Sequence, residues 1–242
     1  MDNGRGILGS LIVAAGIALA GYFVAQGFMG ARLADRFVTV KGISEREVEA
    51  DVAIWPLRVV ASDNDLARAH ASIEASMAQI RAFLGRHEID AAQAQVSGFS
   101  VSDAQANQYR SGEGGNRFVI NQTLVVRSSE PAKVLAASAK VGELVAAGVV
   151  LSSGGEYGGG GPAFLFTGLN SVKPAMIAEA TSRAREAAEQ FARDSGSRIG
   201  GIRRANQGTF EILPRDRAPG ITEEGQLAKT VRVVSTVDYN LE

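Results

Sequence analysis

The side chains that most often do chemistry are scarce in this chain. It has two histidines, His70 and His87, and no cysteine, which excludes disulfides, thiolate metal sites and a cysteine nucleophile. Neither histidine has a second histidine four residues away, the spacing at which two imidazoles on one helix face bind zinc. The Gly-x-Ser-x-Gly motif of a nucleophile elbow is also absent. The sequence therefore predicts a protein that is not an enzyme, with no catalytic residue, no metal ligand and no cofactor.

A glycine-rich run occupies residues 152–162, where six of eleven residues are glycine. A phosphate-binding loop needs a lysine after its last glycine and opens into a helix. Here Pro162 and a strand pattern follow the last glycine, and a dinucleotide-binding loop, which also opens into a helix, fits no better. We therefore expect a surface loop, or a close approach of two backbones, and no nucleotide site.

Polar loops offer candidate contact residues instead. Residues 103–116 have no apolar rhythm and lie between two strand patterns, and loops beyond about 12 residues are usually functional or disordered. Residues 214–226 form a second polar stretch between two strand patterns. With the glycine-rich run, these loops supply the candidate interface or binding residues Tyr109, Arg110, Glu156, Tyr157, Arg215 and Arg217.

The balance of positive and negative residues indicates which kinds of partner to expect. Lysine and arginine number 25 and aspartate and glutamate 26, which gives a formal net charge of -1. A chain this balanced has no electrostatic footprint for nucleic acid, so nucleic acid is not expected as a partner. Hydrophobic residues make up 45% and charged residues 21%, which is the composition of a globular protein.

An uncharged segment near the amino terminus predicts a membrane element. After a short flank, residues 1–5, the segment 6–31 has no charged residue and is long enough for a helix to cross a bilayer of about 30 Å. A cleaved signal peptide usually has an apolar region of only about 7–15 residues, so we favour an uncleaved anchor, with removal of the segment as the alternative. Residues 32–36 then form a tether. The flanking charges are too evenly spread to decide the orientation.

The rest of the chain, residues 37–242, predicts one α+β domain. Strand patterns and helix patterns alternate in short blocks, which is typical of antiparallel hairpins with helices on one face. We expect a turn at residues 42–44 and a helix start at residues 62–65. The predicted strands are 37–41, 48–61, 95–102, 117–128, 149–151, 164–166, 199–212 and 229–241. The predicted helices are 65–87, 131–147 and a long one that starts at residues 170–171 and ends at Gly196.

Several short stretches together resemble the SIMPL domain family. Their order and spacing carry the resemblance, which spans about residues 36–242. The first group is Val38-Thr-Val-Lys-Gly42, Arg46-Glu-Val48, Ala50-Asp51 and Ala53-Ile-Trp55. The second group is Phe166-Thr167, Leu169-Asn170, Lys173-Pro174, Ala180, Ala184-Arg185, Ala187-Ala188-Glu189, Phe191-Ala192, Ser197, Ile199-Gly200, Ile202 and Gln207-Gly208.

The resemblance implies a bacterial envelope protein of poorly defined function. Its members are mostly exported, have no catalytic residues to carry over, are linked with envelope and oxidative stress, and in some cases form ring-like homo-oligomers. It implies a SIMPL-like fold of antiparallel strands with long helices on the sheet, preceded here by one transmembrane helix. We therefore expect a single-pass protein of the bacterial inner membrane, with its large domain in the periplasm, that self-assembles and is not an enzyme.

A second hypothesis stays open beside self-assembly. The glycine-rich run and the long hairpin loop could frame a small ligand or a partner protein, which would make the chain a periplasmic binding module. Cleavage of the amino-terminal segment would make the domain a free periplasmic protein.

Overall fold

The computed structural model of the chain describes residues 13–27, 36–90, 94–106, 115–152 and 161–242. Its first element is a helix, α1, over residues 13–27, and every residue of α1 is exposed. Among the described residues, none of the helices is both long and apolar enough to cross a membrane. The structure therefore does not support the predicted transmembrane helix over residues 6–31, of which 6–12 and 28–31 lie outside the described residues.

The elements after α1 mix strands and helices. In chain order they are β1 (Phe37–Glu49), β2 (Val52–Asp63), α2 (Leu66–Arg86), β3 (Ala94–Asp103), β4 (Phe118–Ser128), α3 (Pro131–Ser138), α4 (Gly142–Ala146), β5 (Ala163–Leu165), α5 (Leu169–Asp194), β6 (Ile199–Gln207), β7 (Glu211–Pro214) and β8 (Ala228–Leu241). One four-stranded sheet has the order β1-β8-β6 with β7 also paired to β8, and the other has the order β3-β4-β2-β5. The pairs β2–β4, β2–β5, β3–β4, β6–β8 and β7–β8 are antiparallel. The predicted α+β class is confirmed.

The chain divides into two compact units. Unit 1 consists of Met1–Ser44, Pro174–Phe210 and Val233–Glu242, and unit 2 consists of Glu45–Lys173 and Glu211–Arg232. The prediction of one domain over residues 37–242 stays a prediction.

In unit 1, helix α5 packs closely on β1. Its buried residues recur every four positions, and all but the first are alanine: Met176, Ala180, Ala184, Ala188 and Ala192. The small side chains let β1 come so near that a Cβ at Gly42 would overlap the backbone of Ala180 and Ala184. The turn predicted at residues 42–44 is therefore wrong, because β1 continues through Gly42, which instead accommodates the helix.

In unit 2, helix α2 covers the middle of its sheet. Asp65 caps the amino end of α2, since its carboxylate accepts a hydrogen bond from the backbone N–H of Arg68 at 3.0 Å. The buried side chains of α2 pack on β2 and β4, and Phe83 meets the ring of Trp55 edge-on at 6.4 Å. This core contains most of the large buried side chains of the unit, among them Ile73, Ile80, Leu84, Ile120, Leu124 and Phe164.

Two other predicted elements are split in the structure. The helix predicted over residues 131–147 is the pair α3 and α4, separated by a turn at residues 139–141. The strand predicted over residues 199–212 is the pair β6 and β7. The predicted strand breaks near Gly208, where an added Cβ atom would lie only 2.5 Å from the carbonyl oxygen of Val234.

Candidate functional site

The most distinctive surface of unit 2 is an apolar groove between α2 and the end strand β3. It holds a volume of about 610 Å³ and is lined by Leu66, Ala67, His70, Phe99, Val101 and Ile120. Ile120 is the only buried residue of the six and lies on the neighbouring strand β4. The groove exists because α2 covers β2 and β4 and stops short of β3.

The strand register explains why β3 exposes apolar side chains here. Val101 pairs with Ile120 and Val96 pairs with Leu124, and directly opposite residues of antiparallel strands share a face of the sheet. Val96 and Val101 therefore face the same side as the buried core of β4, yet they are 49% and 45% exposed. Phe99 is 54% exposed and follows a bulge at Gly98, whose positive φ of 77° suits glycine. Together with Leu66 these side chains form an apolar strip on the surface.

Salt bridges and hydrogen bonds fix the relative position of α2 and β3 at one end of the groove. Arg117 binds the carboxylate of Asp103 at the end of β3, with its Nη2 2.9 Å from Oδ2, and its backbone N–H donates to Oδ1 of Asn64, just before α2, at 3.0 Å. The guanidinium lowers the pKa of Asp103, and the carboxylate raises the pKa of Arg117, since each stabilises the charged form of the other. Asp63 and Arg68 form a second ion pair of 2.8 Å at the start of α2, and Arg68 likewise lowers the pKa of Asp63.

The outer edge of β3 lacks the charges and proline that protect many edge strands, and its one irregularity is the bulge at Gly98. Edge strands normally carry charges or proline that prevent pairing with another chain. β3 has no charged residue and no proline from Ala94 to Ser102, and its first charged side chain, Asp103, is bound by Arg117. Among the described residues no strand pairs with this edge, because β3 stands at the end of the order β3-β4-β2-β5. The edge can accept a further strand.

The predicted loop residues are only partly described. Tyr109, Arg110, Glu156 and Tyr157 lie outside the described residues. Arg215 and Arg217 are both exposed, and Arg215 helps to line an open cleft of about 410 Å³ beside β7. The guanidinium of Arg215 donates hydrogen bonds of 2.9 and 3.2 Å to the carboxylate of Asp216, which raises the pKa of Arg215.

The two histidines occupy different environments. His70 is exposed on α2 and lines the apolar groove. His87 follows α2 and packs its ring against Phe83, with the ring centroids 4.5 Å apart and Nε2 3.7 Å from the carboxylate of Glu143. Within the described part of the chain, no three histidine, aspartate or glutamate side chains come close enough to hold a metal ion.

Polar side chains hold elements together within each unit. In unit 1, Asp238 accepts hydrogen bonds from Thr39 at 2.8 Å and from Arg204 at 3.0 Å, which links β8 to β1 and β6. Ser44 donates to Glu179 of α5 at 2.8 Å. In unit 2, Asp51 accepts from the backbone N–H and the hydroxyl of Thr167, at 2.8 and 3.0 Å. The fully buried Lys229 pairs with the carboxylate of Glu223 and donates to its backbone carbonyl oxygen at 2.7 Å.

The exposed strip on β3 was missed by sequence reasoning. The strand itself was predicted at residues 95–102, with Val96, Phe99 and Val101 as its bulky residues. Whether a strand lies at the edge of its sheet depends on pairings between distant segments, and no local sequence pattern predicts this position. The available signal was the uncharged run of nine residues, 94–102, which is unusual for a strand that faces solvent.

One comparison with known proteins identifies a family. The family model described as "SIMPL: Protein of unknown function (DUF541)" matches residues 38–238. The chain belongs to the SIMPL family. No curated protein matches it. A crystal structure of an uncharacterized conserved protein from Listeria innocua is similar over 78% of this SIMPL chain and 91% of its own chain, with 13% identity and a TM-score of 0.19. A TM-score this low gives no support to any statement about the fold.

Proposed function

We propose that this SIMPL protein is a non-enzymatic envelope protein that self-associates through its domain and is held at the bacterial inner membrane by residues 6–31. The observation that carries the self-association is the free edge of β3, which is uncharged and lies beside an apolar groove. Exposed apolar surface next to an unpaired strand is a common feature of association sites.

Two observations support the membrane attachment. Residues 6–31 have no charged side chain. Helix α1 exposes six large hydrophobic residues along this segment: Val13, Ile17, Leu19, Tyr22, Phe23 and Val24. Burial of such side chains in a bilayer is favourable by about 25 cal/mol for each Å² removed from water. The periplasmic location of the domain rests on the family resemblance, and a role in stress stays a prediction.

The positions of the polar side chains support a structural role. Asp51, Asp238, Glu179 and Lys229 each bind a partner that ties one element to another. Catalytic groups are usually directed into a cleft and towards substrate. These four side chains are instead bound to neighbouring elements of their own units.

Membranes from cells that make the full-length chain provide the test. They are washed at high pH, and an amine-reactive cross-linker is applied to a parallel sample. We expect the chain to remain in the membrane pellet and to cross-link to dimers or larger species. A matched chain with both Ile17→Asp and Phe23→Asp should move to the supernatant. Wild-type chain in the supernatant would contradict the attachment, and a monomer alone at saturating cross-linker would contradict self-association.

A further inference from the structure

We infer that the partner of the groove between α2 and β3 is a second copy of this chain, whose β3 pairs antiparallel with the first. This inference rests on the proposed self-association and assigns the surface through which it takes place. The two β3 strands would lie at the centre of one continuous sheet built from two four-stranded sheets.

The main chain of β3 favours an antiparallel pair about a two-fold axis. β3 has ten residues, and one side of the strand already pairs with β4. The other side leaves N–H and C=O groups available before and after the bulge at Gly98, which a second strand satisfies. When identical strands pair antiparallel, the axis is perpendicular to the sheet, so both α2 helices lie on the same face.

This arrangement closes the groove from both sides. In one copy, the apolar strip on β3 has α2 on one side and solvent on the other. In the pair, the strips of both copies are adjacent and lie between two α2 helices. Val96, Phe99 and Val101 of each copy then pack against those of the other, and Phe99, the largest of them, supplies the bulk that fills the groove.

The charge pattern favours a second copy at β3 over one at the exposed end strand β6. Antiparallel pairing of two β3 strands places no like charges opposite each other, since residues 94–102 are uncharged. β6 belongs to unit 1 and carries Arg203 in its middle, and two copies paired there about a two-fold axis would bring their Arg203 side chains together. Like charges on directly opposite residues destabilise a strand pair.

The apolar strip supplies part of the area that a pair requires. The exposed parts of Leu66, Val96, Phe99 and Val101 amount to on the order of 300 Å² of apolar surface per copy. The paired main chain adds to this strip, against roughly 800 Å² per partner in a standard interface. Attachment of both copies to one membrane raises their effective concentration and favours an interface of this size.

A matched pair of charge substitutions tests the surface. Val101→Lys places a charge in the apolar strip, and Ile202→Lys places the same charge on the exposed edge strand β6. Full-length chains are extracted in mild detergent and their masses compared by sedimentation velocity. We expect Val101→Lys to reduce the mass of the assembly at least twofold and Ile202→Lys to leave it at the wild-type value. Thermal unfolding of both variants checks that each one folds.

Cysteine cross-linking gives a second measurement that does not depend on a destabilising change. The chain has no cysteine, so Ser100→Cys introduces a single thiol on β3, on the face away from the groove. A short bismaleimide should link two copies of this variant in membranes, whereas Ala205→Cys on β6 should stay monomeric.

The outcomes separate the two proposals. An assembly that keeps its mass in Val101→Lys, or a Ser100→Cys chain that links only to another polypeptide, would overturn the assignment of this groove to a second copy and leave self-association standing. A wild-type chain that is monomeric in membranes would overturn the proposed function and this inference with it.

Discussion

Gly42 shows how one residue decides the packing of a helix on a strand. Any side chain at this position would overlap the backbone of Ala180 and Ala184, because β1 and α5 approach so closely there. We expect Gly42→Ala to lower the free energy of unfolding by about 2–4 kcal/mol, since forcing a methyl group into a packed core costs roughly 1–3 kcal/mol and here the obstacle is backbone. Urea unfolding of the purified chain measures the change.

Gly85 is the matched control for that substitution. It lies in the exposed part of α2, and a Cβ there would meet no atom within 4 Å. Gly85→Ala should raise the free energy of unfolding by up to about 1 kcal/mol, because alanine loses less backbone entropy in a helix than glycine does. Equal effects of the two alanine substitutions would contradict the close approach at Gly42.

The sequence pointed to the residues of this contact, but it did not show that they pack against each other. Gly42, Ala180 and Ala184 were all part of the family resemblance. Local reasoning placed a turn at Gly42, because a glycine between two strand patterns usually marks one. The actual partner lies more than 130 residues away in α5, and only the tertiary structure shows it.

At the scale of elements, a buried ion pair fixes the segment between β7 and β8. Lys229 of β8 is fully buried, whereas its partner Glu223 keeps a quarter of its side chain exposed. Glu223→Ala leaves a buried charge without a counter-charge, which we expect to cost about 3 kcal/mol of unfolding free energy. Lys229→Met removes the buried charge, leaves Glu223 to water, and should cost about 1 kcal/mol or less.

The informative result is which of these two substitutions lowers the free energy of unfolding more. Both variants and the wild-type chain are compared by their urea midpoints at neutral pH. A larger loss for Lys229→Met than for Glu223→Ala would mean that the lysine stem, and not the pairing of its charge, stabilises this segment.

Sequence reasoning located most elements of the fold. The predicted helix 65–87 is α2, and the strand 229–241 is β8, because both have a clear apolar period. The helix predicted over residues 131–147 is two helices, and the strand over 199–212 is two strands, since short interruptions do not disturb the period. Strand order was beyond prediction, so the exposed strip of β3 was missed.

At the scale of the whole molecule, the predicted family is confirmed and the predicted self-assembly stays a prediction. The resemblance to SIMPL proteins, which depended on spacing across most of the chain, is confirmed by a family match over residues 38–238. The predicted transmembrane helix is not supported by the described residues, and the orientation of the domain stays a prediction. Assembly depends on how copies meet, which the pattern of one chain does not report.

The mass of the full-length protein tests the central claim most directly. Native mass spectrometry of the chain, extracted in mild detergent, reads the length of the polypeptide and the number of copies in one experiment. We predict an even multiple of the 25.3 kDa chain, because pairing through β3 joins copies in twos. A single 25.3 kDa species under the same conditions would contradict self-association.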